Sequence, residues 1–139
     1  DPNAYSQSKH HQMVGLRYQH GHLGGDSYTI KELKLFELNA HNDIRLVLNN
    51  FRTDFEGGSR PYSQCDGGGM YTRSKILLIP QNTLSHGLND FKLKETVDRE
   101  ETDPNTCKVH KTTQHKTHQL QFNGEKYLFE HLDFLDFGI

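Results

Sequence analysis

Tryptophan is missing from these 139 residues, cysteine and methionine occur twice each, and proline occurs four times. Apolar residues are thinly spread. They make up 32% of the chain, mean hydropathy is -0.84, and the longest unbroken run, Ile76-Leu77-Leu78-Ile79, is closed by Pro80. A helix that crosses a bilayer needs about 20 mostly apolar residues, so no membrane span is expected in this segment. An excess of one charge is lacking too: 16 Lys and Arg stand against 18 Asp and Glu, for a net charge of -2 and a pI of about 6.6. Domains that bind nucleic acid usually show a basic stripe and a high pI, so nucleic acid is not an expected partner. Charges this balanced also exert little self-repulsion against folding.

The local signatures of common catalytic sites are missing as well. There is no Gly-x-Ser-x-Gly turn and no His-Glu-x-x-His pair, and Gly67-Gly68-Gly69 runs into Met70-Tyr71-Thr72 rather than the Lys-Ser/Thr of a phosphate-binding loop. No catalytic residue is assigned, and the chain is not expected to be an enzyme.

What the chain does have is 8 Phe and 6 Tyr for a core, and short stretches in which apolar and polar residues alternate. Val14, Leu16 and Tyr18 alternate as a half-buried strand does. From Tyr28 and Ile30 the apolar parity slips to Leu33 and Leu35, the mark of a β-bulge. Lys75 to Ile79 reads as a buried strand stopped by Pro80. Phe91, Leu93 and Val97 alternate with polar residues, with Glu95 standing where an apolar residue belongs. Asn123-Gly124 is the strongest hairpin signal in the chain. Two stretches stay ambiguous. Residues 43–55 alternate through Ile44, Leu46 and Leu48, yet Ile44, Val47, Phe51 and Phe55 also fit one helical face, and a short helix is preferred there. Residues 131–137 carry either a strand or a helical stripe through Leu128, Leu132 and Leu135. The expected fold class is mainly β, a β-sandwich or partly open barrel, with α+β as the alternative. Residues 1–12 read as a loose lead-in, and residues 13–139 as a single disulfide-linked, β-rich domain.

Cys65 and Cys107 both lie in polar, loop-like surroundings, whereas unpaired structural cysteines favour apolar cores. A disulfide between them is expected, and with it a periplasmic or extracellular location. The chain starts at Asp1 without an initiator Met, which is read as a segment processed or cut from something longer.

Two groups of side chains stand out as candidate sites. The stretch from Gly57 to Thr72 reads as a long glycine-rich loop that Cys65 would tether; it combines Arg60, Tyr62, Tyr71 and Arg73, and Tyr and Arg are the residues enriched in binding hot spots. His20 and His22, with His110 and His118, are the candidate ligands for Zn or Cu, which need three or four convergent donors. Surface histidine is the plainer reading, and no cofactor is expected. The favoured function is an exported protein-binding module of the inhibitor or immunity type, acting by loop-mediated contact on a toxin or cell-wall enzyme. The alternatives are an extracytoplasmic sensor or ligand-binding domain with a His metal site, and a small His-dependent nuclease or toxin domain. The last would draw on His110 and His118 as acid and base, with Lys108, Lys111 and Lys116 nearby.

Overall fold

A computed structural model describes residues 5–8, 11–24, 27–39, 41, 43–59 and 67–129. Every regular element in them is a strand: β1 (Tyr5–Ser8), β2 (His11–His22), β3 (Ser27–Leu38), β4 (Ile44–Gly58), β5 (Gly69–Ser85), β6 (Leu88–Thr102), β7 (Val109–Phe122) and β8 (Tyr127–Leu128). Each pairs antiparallel with the next in chain order, and β8 does not return to β1, so the meander stays one open sheet. The mainly β expectation holds. Both β1 and the first residues of β2 lie inside the stretch read as a loose lead-in.

Turn chemistry explains where the strands reverse. His86-Gly87 joins Ser85 to Leu88, with both φ values left-handed at 50° and 88°, as a two-residue hairpin demands. Asn123-Gly124 also turns the chain as expected: Gly124 has φ 98°, and Asn123 Oδ1 accepts the amides of Glu125 (2.9 Å) and Lys126 (2.8 Å). At the end of β6, Asp103 Oδ1 accepts the amides of Asn105 and Thr106, both at 2.8 Å, and these bonds hold its carboxyl below the usual range.

The helix expected near 43–55 is instead part of β4, and bulges are the reason. Leu35 pairs with Leu48 but Phe36 with Leu46, leaving Val47 between them, and further slips separate Lys31 from Glu32 and Leu33 from Leu35. Repeated one-residue slips stretch a period of two until it imitates a helical face. From Phe51 onward inward and outward residues alternate, with Phe51, Thr53, Phe55 and Gly57 all buried. The slip after Ile30 is likewise a register shift against β4. Pro80 does not stop β5, which runs on to Ser85. Between Pro80 and Leu84 the ladder to β6 is interrupted, and a residue without an N–H is tolerated in such a gap. Residues 131–137 lie outside the described residues.

Only five rungs join β4 to β5, Asp54–Gly58 against Lys75–Tyr71. Ahead of them β4 swings away from β5 and meets the far end of the sheet. Phe51 packs edge-on against Phe129, with centroids 5.3 Å apart, and one core cluster gathers Leu33 and Leu48 with Phe91, Leu93, Phe122 and Tyr127. Arg45 fastens this fold-over. Its Nε and Nη2 donate to the buried Glu37 carboxylate at 3.0 and 2.5 Å, Nη1 donates to the Gly124 carbonyl at 3.1 Å, and the guanidinium lies 5.2 Å from the Phe122 ring.

Denaturant unfolding tests this packing. Phe91→Ala is expected to cost about 3–5 kcal/mol as a core cavity. Arg45→Ala is expected to cost about 1–3 kcal/mol, because the buried Glu37 carboxylate loses two charged donors. Leu16→Ala, on the exposed face, stays within about 0.5 kcal/mol of the parent.

Candidate functional site

In β2, alternation shows which side chains share a face but not which face is covered. Met13 and Gly15 are the buried residues, while Val14, Leu16 and Tyr18 are 48%, 54% and 37% exposed. The half-buried strand expected from Val14, Leu16 and Tyr18 is therefore present with its apolar side turned outward. Register carries that side across the sheet: Val14 pairs with Phe36 and Phe36 with Leu46, while Leu38 pairs with Ile44. Ile44 is 73% exposed and Leu46 40%. Val14, Leu16, Phe36, Leu38 and Ile44 line a shallow groove on this face. Contiguous patches of roughly 300–600 Å² are about the largest that monomers expose, and they are often functional.

A polar rim borders the patch at the far end of β2. Tyr18 donates to Asn50 Oδ1 at 2.8 Å, stacks on His20 with centroids 6.2 Å apart, and has Lys34 Nζ 5.4 Å from its ring. His20 Nε2 lies 3.3 Å from Glu32 Oε2. Hydrogen bonding to the Glu32 carboxylate, then burial and the charge of Glu32, push the Tyr18 phenol up to about 12.

The sequence candidates fall elsewhere. Tyr71 and Arg73 lie within β5 rather than in the loop before it. Both reach Glu56 on β4: the Tyr71 hydroxyl donates to Glu56 Oε1, and Arg73 Nη2 donates to the same oxygen at 2.7 Å. Those bonds, with the charge of Glu56, hold the Arg73 guanidinium above its usual range. Arg60, Tyr62 and Cys65 lie outside the described residues. Cys107 ends the β6–β7 turn at φ 58°. His20 and His22 share the parity expected of them, but His22 faces the Tyr28 ring at 6.3 Å while His20 meets Glu32. His110 and His118 stand eight residues apart on β7, about 26 Å at strand rise, too far to share one ion. Among the described residues no three His, Cys, Asp or Glu gather closely enough to hold a metal.

A buried polar cluster was legible only through the misfit at Glu95. That residue keeps the inward parity of Phe91, Leu93 and Val97 and is 2% exposed. Ser74 Oγ lies 3.3 Å from Glu95 Oε1, and His118 Nε2 lies 3.5 Å from Glu95 Oε2. Ser, His and Glu are the residue types of a hydrolase triad, but here the carboxylate sits between hydroxyl and imidazole. A triad needs the imidazole in the middle to take the serine proton, so this cluster offers no activated nucleophile.

No known protein family, curated protein or solved structure matches the chain.

The Tyr18 shift has a direct consequence. A phenol whose folded pKa is raised from 10.0 to about 12 contributes its full stability below pH 10 and loses it as pH climbs towards 12. Tyrosinate absorbance against pH should show a late-titrating phenol that is missing from Tyr18→Phe. Glu32→Gln should bring that titration back towards pH 10.

Proposed function

We propose that this chain is an exported protein-binding module of the inhibitor or immunity type, and that it docks a protein partner on the outer face of β2, β3 and β4. The observation that carries this reading is the apolar face itself: alternate residues of three neighbouring strands point Val, Leu, Phe and Ile into solvent. Apolar side chains in the middle with Tyr18, His20, Glu32 and Lys34 at the rim reproduce the usual anatomy of an interface, an apolar centre within a polar border. This moves the expected contact surface from the loop before β5 to the sheet. The loop would then serve as a tether for the crosslink.

Export rests on the bond between Cys65 and Cys107. Two features support it. Gly69 pairs with Thr102, so the chain entering β5 and the turn leaving β6 belong to the same end of the sheet, and no cysteine is a free thiol among the described residues. Closing a loop of roughly 40 residues stabilises a domain by about 4 kcal/mol on the chain-entropy account. The partner is a protein such as a toxin or cell-wall enzyme, bound by surface contact alone without a cofactor.

Affinity capture from the native extracellular or periplasmic fraction should return one stoichiometric protein with the parent chain. Leu16→Glu and Ile44→Glu should each weaken its binding at least tenfold while leaving the melting temperature within a few degrees, since both side chains are exposed. Equal binding by both variants would remove the sheet face as the docking surface. Intact mass with and without reductant tests the crosslink separately, and two free thiols in freshly isolated protein would remove the argument for export.

A further inference from the structure

The outer edge of β7 is distinct from the apolar face and belongs to a long, regular strand. Its ladder to β6 runs through twelve consecutive pairs, Thr102 with Val109 to Phe91 with Leu120, without a single register shift. On its other side, among the described residues, only Gln121 and Phe122 are paired, to β8. From Val109 to His115 the side chains are exposed on both faces. A long, regular edge free of bulges is the geometry that templates an added strand, and most proteins disrupt such edges.

The side chains along this edge say what kind of strand it takes. No Asp or Glu occurs between Pro104 and Gly124, whereas Lys108, Lys111 and Lys116 alternate with His110, His115 and His118. Lys111 Nζ meets Glu100 Oε1 on β6 at 2.8 Å. Both groups are solvent-exposed, and such pairs are weak enough to be exchanged for an incoming carboxylate. A second copy of β7 would bring another acid-free, lysine-bearing strand against this one, which opposes self-pairing. We propose that the β7 edge binds an extended acidic segment of a protein partner by strand addition. Main-chain hydrogen bonds supply the register, and cross-strand carboxylates on the partner meet the lysines.

An acetylated peptide of alternating glutamate and valine is the probe, titrated into the ¹⁵N-labelled full chain with amide exchange as the readout. Binding should protect alternate amides between 109 and 119 and weaken as salt rises. A lysine–valine peptide of the same length should bind at least tenfold more weakly. Thr112→Pro and Thr113→Pro remove neighbouring N–H groups that point to opposite sides of β7. One variant should lower the melting temperature by breaking a bond to β6, and the other should keep it while losing the glutamate–valine peptide. The proposal is overturned if the lysine–valine peptide binds as well. It is also overturned if both proline variants retain binding, or if the β7 amides that point away from β6 are already protected in the free chain and the peptide changes nothing. These readouts are independent of Leu16 and Ile44, so the result stands apart from the reading of the apolar face.

Discussion

The shape of this protein depends on how little β4 shares with β5. A long meander ordinarily twists into an open propeller-like sheet with two solvent faces. Here the ladder between these two strands is limited to five rungs, so the first half of β4 is released from β5. That freedom lets Val47, Leu48 and Phe51 close over the hairpin of β7 and β8, with Phe129 and Tyr127 filling the gap. Bulges in β4 supply the bend, and Arg45 locks it by satisfying a buried carboxylate on β3 while capping a carbonyl of the last turn. With a full β4–β5 ladder the same apolar residues would lie on an uncovered sheet.

Folding over buries only part of the sheet, and the rest defines what the molecule presents to others. The outer face of β2, β3 and β4 is apolar, whereas that of β4 to β7 is ionic, with Arg73 on Glu56, Lys111 on Glu100, and Thr113 Oγ1 donating to Asp98 at 2.6 Å. The division follows the chain directly. In β2 and β4 large apolar residues occupy the outward parity, and in β6 and β7 lysine and threonine do. Inside, on the β5–β7 side, Glu95 is buried beside Ser74 and His118, and among the described residues Glu95 Oε2 and His118 Nε2 lack a hydrogen-bond partner.

Much of this was legible in the residues. Strand content, the Asn123-Gly124 hairpin, the slip after Ile30, and the inward parity of Phe91, Leu93 and Val97 all follow from period and turn chemistry. The misfit at Glu95 already marked the place where the interior is polar. Three things were not legible. The bulges around Val47 made β4 resemble a helix, because slips at short intervals mimic a longer period. Pro80 looked terminal but lies where the ladder to β6 is interrupted. Above all, Val14, Leu16 and Tyr18 looked like core and are surface: a strand flanked by Met13 and Gly15 offers two faces, and alternation is silent about which one the neighbours cover.

Sequence alone determined that the chain would form β-structure and reverse at Asn123-Gly124. It also determined that β7 would be basic and free of carboxylates. These are local properties, set by dihedral preference, side-chain period and charge, and they need no knowledge of distant neighbours. Tertiary structure decided which apolar stripe became interior, which histidines stood too far apart to act together, and where Glu95 found Ser74 and His118. Burial is a property of pairs of surfaces brought together across tens of residues, and no window of the chain contains both members of the pair.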